Sequence, residues 1–303
     1  MTTAGKTLTK ETATLATSPS PKALARVYRA PAGHWVGDGF PVRSMFSYNR
    51  HGADVSPFLL LDYAGPADFP PAAKPRGVEM HPHRGFETVT IVYQGEVEHR
   101  DTAGNHGRIG PGDVQWMTAA KGILHEEMHG RDFTEKGGAL EMVQLWVNLP
   151  AKDKMSKPAY QEIVDRNIPV VALDDKGSVA RIIAGDFNGT KGPAKTFTPV
   201  NLWDLRLSAG NRSEIVLPDG FTAILLVMRG SVRVNDSENV GVAELALFEH
   251  DGERFTLETP DDARVLVMSG EPIDEPITGY GPFVMNTEDE IRQAITDFNA
   301  GRF

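Results

Sequence analysis

Two short histidine-bearing stretches hold the residues whose types and spacing could do chemistry. "EMHPHRGFETVTIVYQGEVEH" (79–99) sets His81 and His83 two apart at the mouth of an apolar run, and "GILHEEMH" (122–129) brings His125, Glu126, Glu127 and His129. Side chains at i and i+2 leave a strand on the same face, so His81 and His83 could converge on one ion. If the second stretch is also extended, His125, Glu127 and His129 share a face and Glu126 points away. Two such paired strands would supply His81, His83, His125 and Glu127. Three imidazoles and one carboxylate suit iron(II) best, and also nickel, cobalt, copper, manganese or zinc. An isolated H-x-H pair is weak evidence, because surface strands carry such pairs as plain polarity. Glu87 lies in phase with His81 and His83 and competes for the carboxylate position; spacing leaves that choice open.

The elements that must position these residues read as strands. "FETVTIVYQGEVEHR" is a strand, a break at Gly95 and an alternating return strand, while "GRIGPGDVQWMTA" turns through Pro-Gly-Asp into another. "GALEMVQLWVNLP" is a long apolar strand closed by Pro150, and the charged "AKDKMSKPAYQEIVDRNIP" reads as a connection. The pattern then restarts. "TAILLVMRGSVRVN" (222–235) is similar to "TVTIVYQGEVEHRD" (88–101), with Gly230 in the place of Gly95, as an internal duplication would give. Eight of the nine histidines precede residue 130, and the segment ahead of the second hairpin, "NRSEIVLPDGF", has apolar and turn residues in place of His-Pro-His. One repeat keeps candidate ligands and the other lacks them. The one helix expected, 287–300, opens on a Thr287/Glu290 capping box and carries Ile291, Ala294, Ile295 and Phe298 as its apolar stripe. The fold class is all-β, two sandwiches or jelly rolls in tandem with helical decoration.

Composition sets outer limits. The 303 residues are 40% apolar and 24% charged, enough to fill two cores. A net charge of −10 argues against direct nucleic-acid contact and against an anionic membrane surface. The absence of cysteine excludes disulfides, thiolate metal sites and cysteine nucleophiles, and it fits a reducing cytoplasm, where the chain is placed. No apolar stretch approaches the ~20 residues that span a bilayer. The first 22 residues are rich in Thr and Ser without an apolar core, so they read as a tail rather than a secretory signal.

The blocks "HPHRGFETVTIVYQGEVEHRD", "PGDVQWMTAAKGILHEEM", "LEMVQLWVNLPAKDKM" and "GYGPFVMNT" resemble, in order, the pirin family of the cupin superfamily, over roughly residues 27–300. The resemblance implies two tandem cupin barrels: a disordered tail over 1–26, a metal-binding domain over 27–150, a connection over 151–168 and a ligand-free domain over 169–303. It assigns His81, His83, His125 and Glu127 to a single metal and leaves Glu87 unused, as a partner orienting a ligand histidine or a buried carboxylate paired with Arg84 or a backbone N–H. It further implies a quercetin 2,3-dioxygenase-like activity on a flavonol or other enolic phenol. Dioxygen would be the co-substrate and Glu127 the acceptor of the substrate's hydroxyl proton. The other function found among pirins, iron-dependent redox sensing with a protein partner, is the alternative, and the family leans towards monomers. Phe86, Trp116 and Met117 flank the motifs as lining or core. His99, His106 and His129 are expected in loops, and Arg84 and Lys121 as cationic turn positions.

Overall fold

The computed structural model describes residues 18–303. Each half of the chain folds a seven-stranded antiparallel sheet against a four-stranded one. In the N-terminal half the larger sheet runs in the order Ala159–Ile163, Val114–Thr118, Phe86–Gln94, Gly138–Asn148, Phe58–Phe69, Phe40–Ser47, His34–Val36. The smaller one runs Gly77–His83, Ile123–His129, Val97–Asp101, His106–Ile109. The C-terminal half repeats the plan, with Arg212–Val216, Arg254–Glu258, Val232–Val234 and Glu238–Val240 as its smaller sheet. Gly95 (φ +83°) and Gly230 (φ +68°) turn the equivalent hairpins in left-handed geometry, which a β-carbon would strain.

The two large sheets pack face to face, and this explains their near-continuous apolar strands. Val89, Ile91, Val143 and Leu145 from one meet Ile224, Leu226, Leu266 and Met268 from the other in a single core. Each such side chain contributes about 1.5–3 kcal/mol by leaving water. The opposite face of the N-terminal large sheet looks into its own barrel. There Thr88, Thr90, Gln115 and Gln144 interrupt the apolar pattern.

Three segments sit elsewhere than expected. Of the stretch read as a tail, residues 1–17 lie outside the described residues, but Leu24–Tyr28 is a strand on Glu244–Phe248 of the C-terminal sheet. Leu24 and Val27 pack on that domain's core, and the buried Lys22 ammonium donates to the carbonyls of His250 and Gly252. The connection contributes Ala159–Ile163 as the edge strand beside Val114–Thr118. The C-terminal end returns to the first domain. Phe283 bridges Arg84, Val284 packs with Leu59 and Phe86, and Asp297 holds the Arg84 guanidinium at 2.8 Å. The helix spans Glu288–Asn299 with the reciprocal Thr287/Glu290 capping box; Ile291 and Ala294 are buried, while Phe298 sits at the rim. No helix among the described residues is long and apolar enough to cross a membrane.

Candidate metal centre

The strand carrying His81 and His83 pairs antiparallel with the strand carrying His125 and Glu127, in the register His81↔His125. Ile123–His129 alternates strictly, with Ile123, His125, Glu127 and His129 turned inward. Glu126 points out to an ion pair with Arg100. His125 and Glu127 thus share the inward face of this strand, and the outcome is a compact cluster. One nitrogen from each of His81, His83 and His125 lies within 4.8 Å of the other two, with His81 half-buried and the others buried.

The ring nitrogens of the cluster are open to a ligand. The Nδ1–H of His81 donates to the Glu79 carbonyl at 2.8 Å, which turns Nε2 away from that bond. His83 Nδ1 and His125 Nε2 are buried without any hydrogen-bond partner. Leaving such groups unpaired costs about 1–3 kcal/mol each. Burial first, and then the neighbouring histidines, hold His83 and His125 well below the usual imidazole range, so both are neutral. Neutral imidazoles with converging lone pairs are the ligand form, and the residues present fit a divalent cation.

Glu127 is buried beside this cluster on the same strand face, one step past a register shift. Its carboxylate lies outside the tight three-histidine group. Gln144 donates to Oε2 at 2.6 Å, and Thr90 (3.0 Å) and Gln115 (3.4 Å) donate to Oε1. The structure thus brings three of the four expected ligands together and holds the fourth adjacent to them by side-chain donors.

Glu87 is not a neighbour of the ligands. The turn at Arg84 and Gly85 resets the strand phase, so Glu87 shares the face of Val89 and Ile91 and accepts from Thr118 Oγ1 at 2.7 Å. Burial pushes its carboxyl up to about 7. Glu87 orients no histidine; it is a buried carboxylate as the second expectation had it, but paired with Thr118 rather than with Arg84, which is engaged by Asp297 and the Phe303 ring. Arg84 is likewise buried, which removes it as a cation offered to a substrate.

Of the three flanking residues, only Phe86 reaches the cluster. It stacks on Trp146 at 4.2 Å, and both rings meet His83 at 5.2 Å. Trp116 belongs to the core between the large sheets and Met117 to a small apolar cluster with Ile123. His99 is a buried strand residue rather than a loop residue. Its Nδ1 lies 3.4 Å from His125 Nδ1 and accepts from Gln115 Nε2 at 3.2 Å, while Nε2 donates to Asp101 Oδ2 at 3.1 Å. The alternation Val97, His99, Asp101 carried that signal. Trp146, Thr90, Gln115 and Gln144 also went unnoticed in the sequence, though polar residues interrupting buried strands mark an interior that is not simply apolar. His129 anchors structure, donating to the Gly39 carbonyl at 2.8 Å among Phe40, Phe69 and Phe133; His106 is exposed.

Comparison with known proteins agrees with this architecture. The Pirin family model matches residues 39–147 and the Pirin C-terminal cupin domain model residues 202–303. A Pseudomonas aeruginosa protein named "Putative quercetin 2,3-dioxygenase PA2418" is 59% identical over 282 residues, 93% of this chain and 98% of that protein. Human Pirin is 37% identical over 251 residues, 81% of this chain and 82% of its own. The crystal structure of a quercetin 2,3-dioxygenase from Acinetobacter baumannii superposes with a TM-score of 0.91 at 51% identity, covering 93% of this chain and 98% of that one. The chain belongs to the pirin family of two-domain cupins.

Proposed function

We propose that the N-terminal domain is a mononuclear metal-dependent dioxygenase that opens a flavonol or another enolic phenol, with iron(II) as its metal. The observation that carries the reading is the convergence of ring nitrogens from His81, His83 and His125, with His83 Nδ1 and His125 Nε2 buried and unpartnered, beside the buried carboxylate of Glu127. The family and the quercetin 2,3-dioxygenase structure at 51% identity support the substrate class.

His81, His83 and His125 would hold the metal and Glu127 would complete the set, which when bound supplies a Lewis acid and a redox centre for dioxygen. The remaining work falls to the chain. Glu127 takes the proton of the substrate's enolic hydroxyl, and the donors Gln144, Thr90 and Gln115 fix the direction its carboxylate faces. Phe86 and Trp146 form an aromatic wall against His83, a surface on which a planar ring can lie. The buried setting excludes bulk water.

Oxygen uptake by iron-loaded protein with quercetin tests the reading. Uptake should be saturable and should disappear in His81→Ala. No uptake across a panel of enolic phenols by protein with one bound iron would overturn it and favour redox-dependent binding of a protein partner.

A further inference from the structure

The C-terminal barrel has lost its ligands but not its mouth. Strand register matches His83 with Leu217, Phe86 with Phe221 and Leu60 with Asn201, so the end that holds the histidine cluster in one domain has a counterpart in the other. At that end lies a cavity of about 650 Å³, bounded by Val216, Leu217, Phe221, Asn201, Trp203 and the hairpin that carries Lys191. This volume is in the range that takes small molecules, about 300–1,000 Å³.

Among the polar side chains of the wall, which include Asp186, Asn188 and Thr196, Asn201 and Lys191 offer free donors. The backbone N–H of Asp186 donates to Asn201 Oδ1 at 3.1 Å, which fixes the amide so that its Nδ2 donors are the free end. Gly185 makes this approach possible, because a β-carbon there would stand 2.0 Å from Asn201 Oδ1. Trp203 is buried with its indole N–H unpaired. Lys191 is exposed and forms no ion pair among the described residues. The one acid nearby, Asp186, turns a carboxylate oxygen back onto the Gly189 N–H of its own hairpin at 2.7 Å. Apolar surface from Val216, Leu217 and Phe221 beside the free donors of Asn201 and Lys191 suits a flat apolar ligand bearing acceptor oxygens.

The geometry points to a second, metal-free binding site in the C-terminal domain, for a small planar aromatic molecule whose oxygen acceptors meet Asn201 and Lys191. It needs no metal and does not depend on the N-terminal activity. Fluorescence anisotropy of 7-hydroxycoumarin, titrated with full-length protein, is the test. Binding should saturate, weaken about tenfold or more in Val216→Trp and Asn201→Leu, and stay unchanged in His81→Ala. Val216 is 43% exposed, so the tryptophan fills the mouth without entering the core and the variant keeps its fold. Absence of saturation into the millimolar range would overturn the site. So would binding indifferent to both cavity variants, or binding lost in His81→Ala.

Discussion

The two barrels share a strand plan and differ in what fills it. Register places Ile215 where the first domain has His81, Leu217 where it has His83, Phe255 for His125 and Leu257 for Glu127. Val234 stands for His99, Ala223 for Thr88, Leu225 for Thr90 and Val267 for Gln144. The entire ligand set and its supporting donors have become one apolar core. The substitution is coherent, and the difference teaches why. An imidazole cluster in a barrel is costly without a cation, and the donors around a buried carboxylate are costly without that carboxylate, so the polar set stays or goes as a unit.

Predictions follow from trying to break that contrast. The largest effect is expected from His125→Ala, the most buried ligand. Metal content measured on purified protein should fall from one equivalent to a trace, with oxygen uptake down at least 100-fold, about 2.7 kcal/mol. Its counterpart Phe255→Ala should leave metal content intact and cost about 3–5 kcal/mol of stability in denaturant melts, because that ring stacks on Phe248 in the core. Glu127→Gln keeps the shape and removes the proton acceptor. Turnover per bound metal should fall about 10²-fold, more than substrate binding does. Gln144→Leu, which makes the first domain more like the second, removes only one donor to Glu127; a loss of about tenfold in kcat with an unchanged fold is expected.

A pH dependence of stability separates the two barrels as well. His83 and His125 are held below the ordinary imidazole value in the folded protein, so below about pH 6.5 the unfolded chain binds protons that the native state refuses. Metal-free protein should therefore lose stability as pH falls from 6.5 towards 5, by up to ~1.4 kcal/mol per pH unit per histidine, with no such contribution above 7. The double variant His83→Leu/His125→Phe, which writes the second domain's apolar character into the first, should flatten the curve. An unchanged curve would show that these two groups are not the ones titrating.

Much of this contrast was legible in the sequence. Strand parity joined His81 and His83 to His125 and Glu127, the histidine census confined any imidazole site to the first repeat, and the two glycine-broken hairpins announced the duplication. What stayed hidden depends on three-dimensional closure. Parity does not carry through a turn, so Glu87 seemed in phase with His81 until Gly85 reset it. The strand Leu24–Tyr28 pairs with residues more than 200 positions later, and the C-terminal helix reaches back to Arg84; no local pattern encodes either contact. His99 and Gln144 were visible as residues but not as neighbours of the site, because their roles come from cross-strand register.

The central claim is that one domain holds a metal and its twin does not. Anomalous diffraction from crystals of manganese-loaded protein, collected at the metal's absorption edge, tests it most directly. One peak per chain is expected, within about 2.0–2.3 Å of nitrogens from His81, His83 and His125 and of a Glu127 oxygen, and none in the C-terminal barrel. A peak away from these histidines, or a second peak beside Ile215 and Phe255, would contradict it.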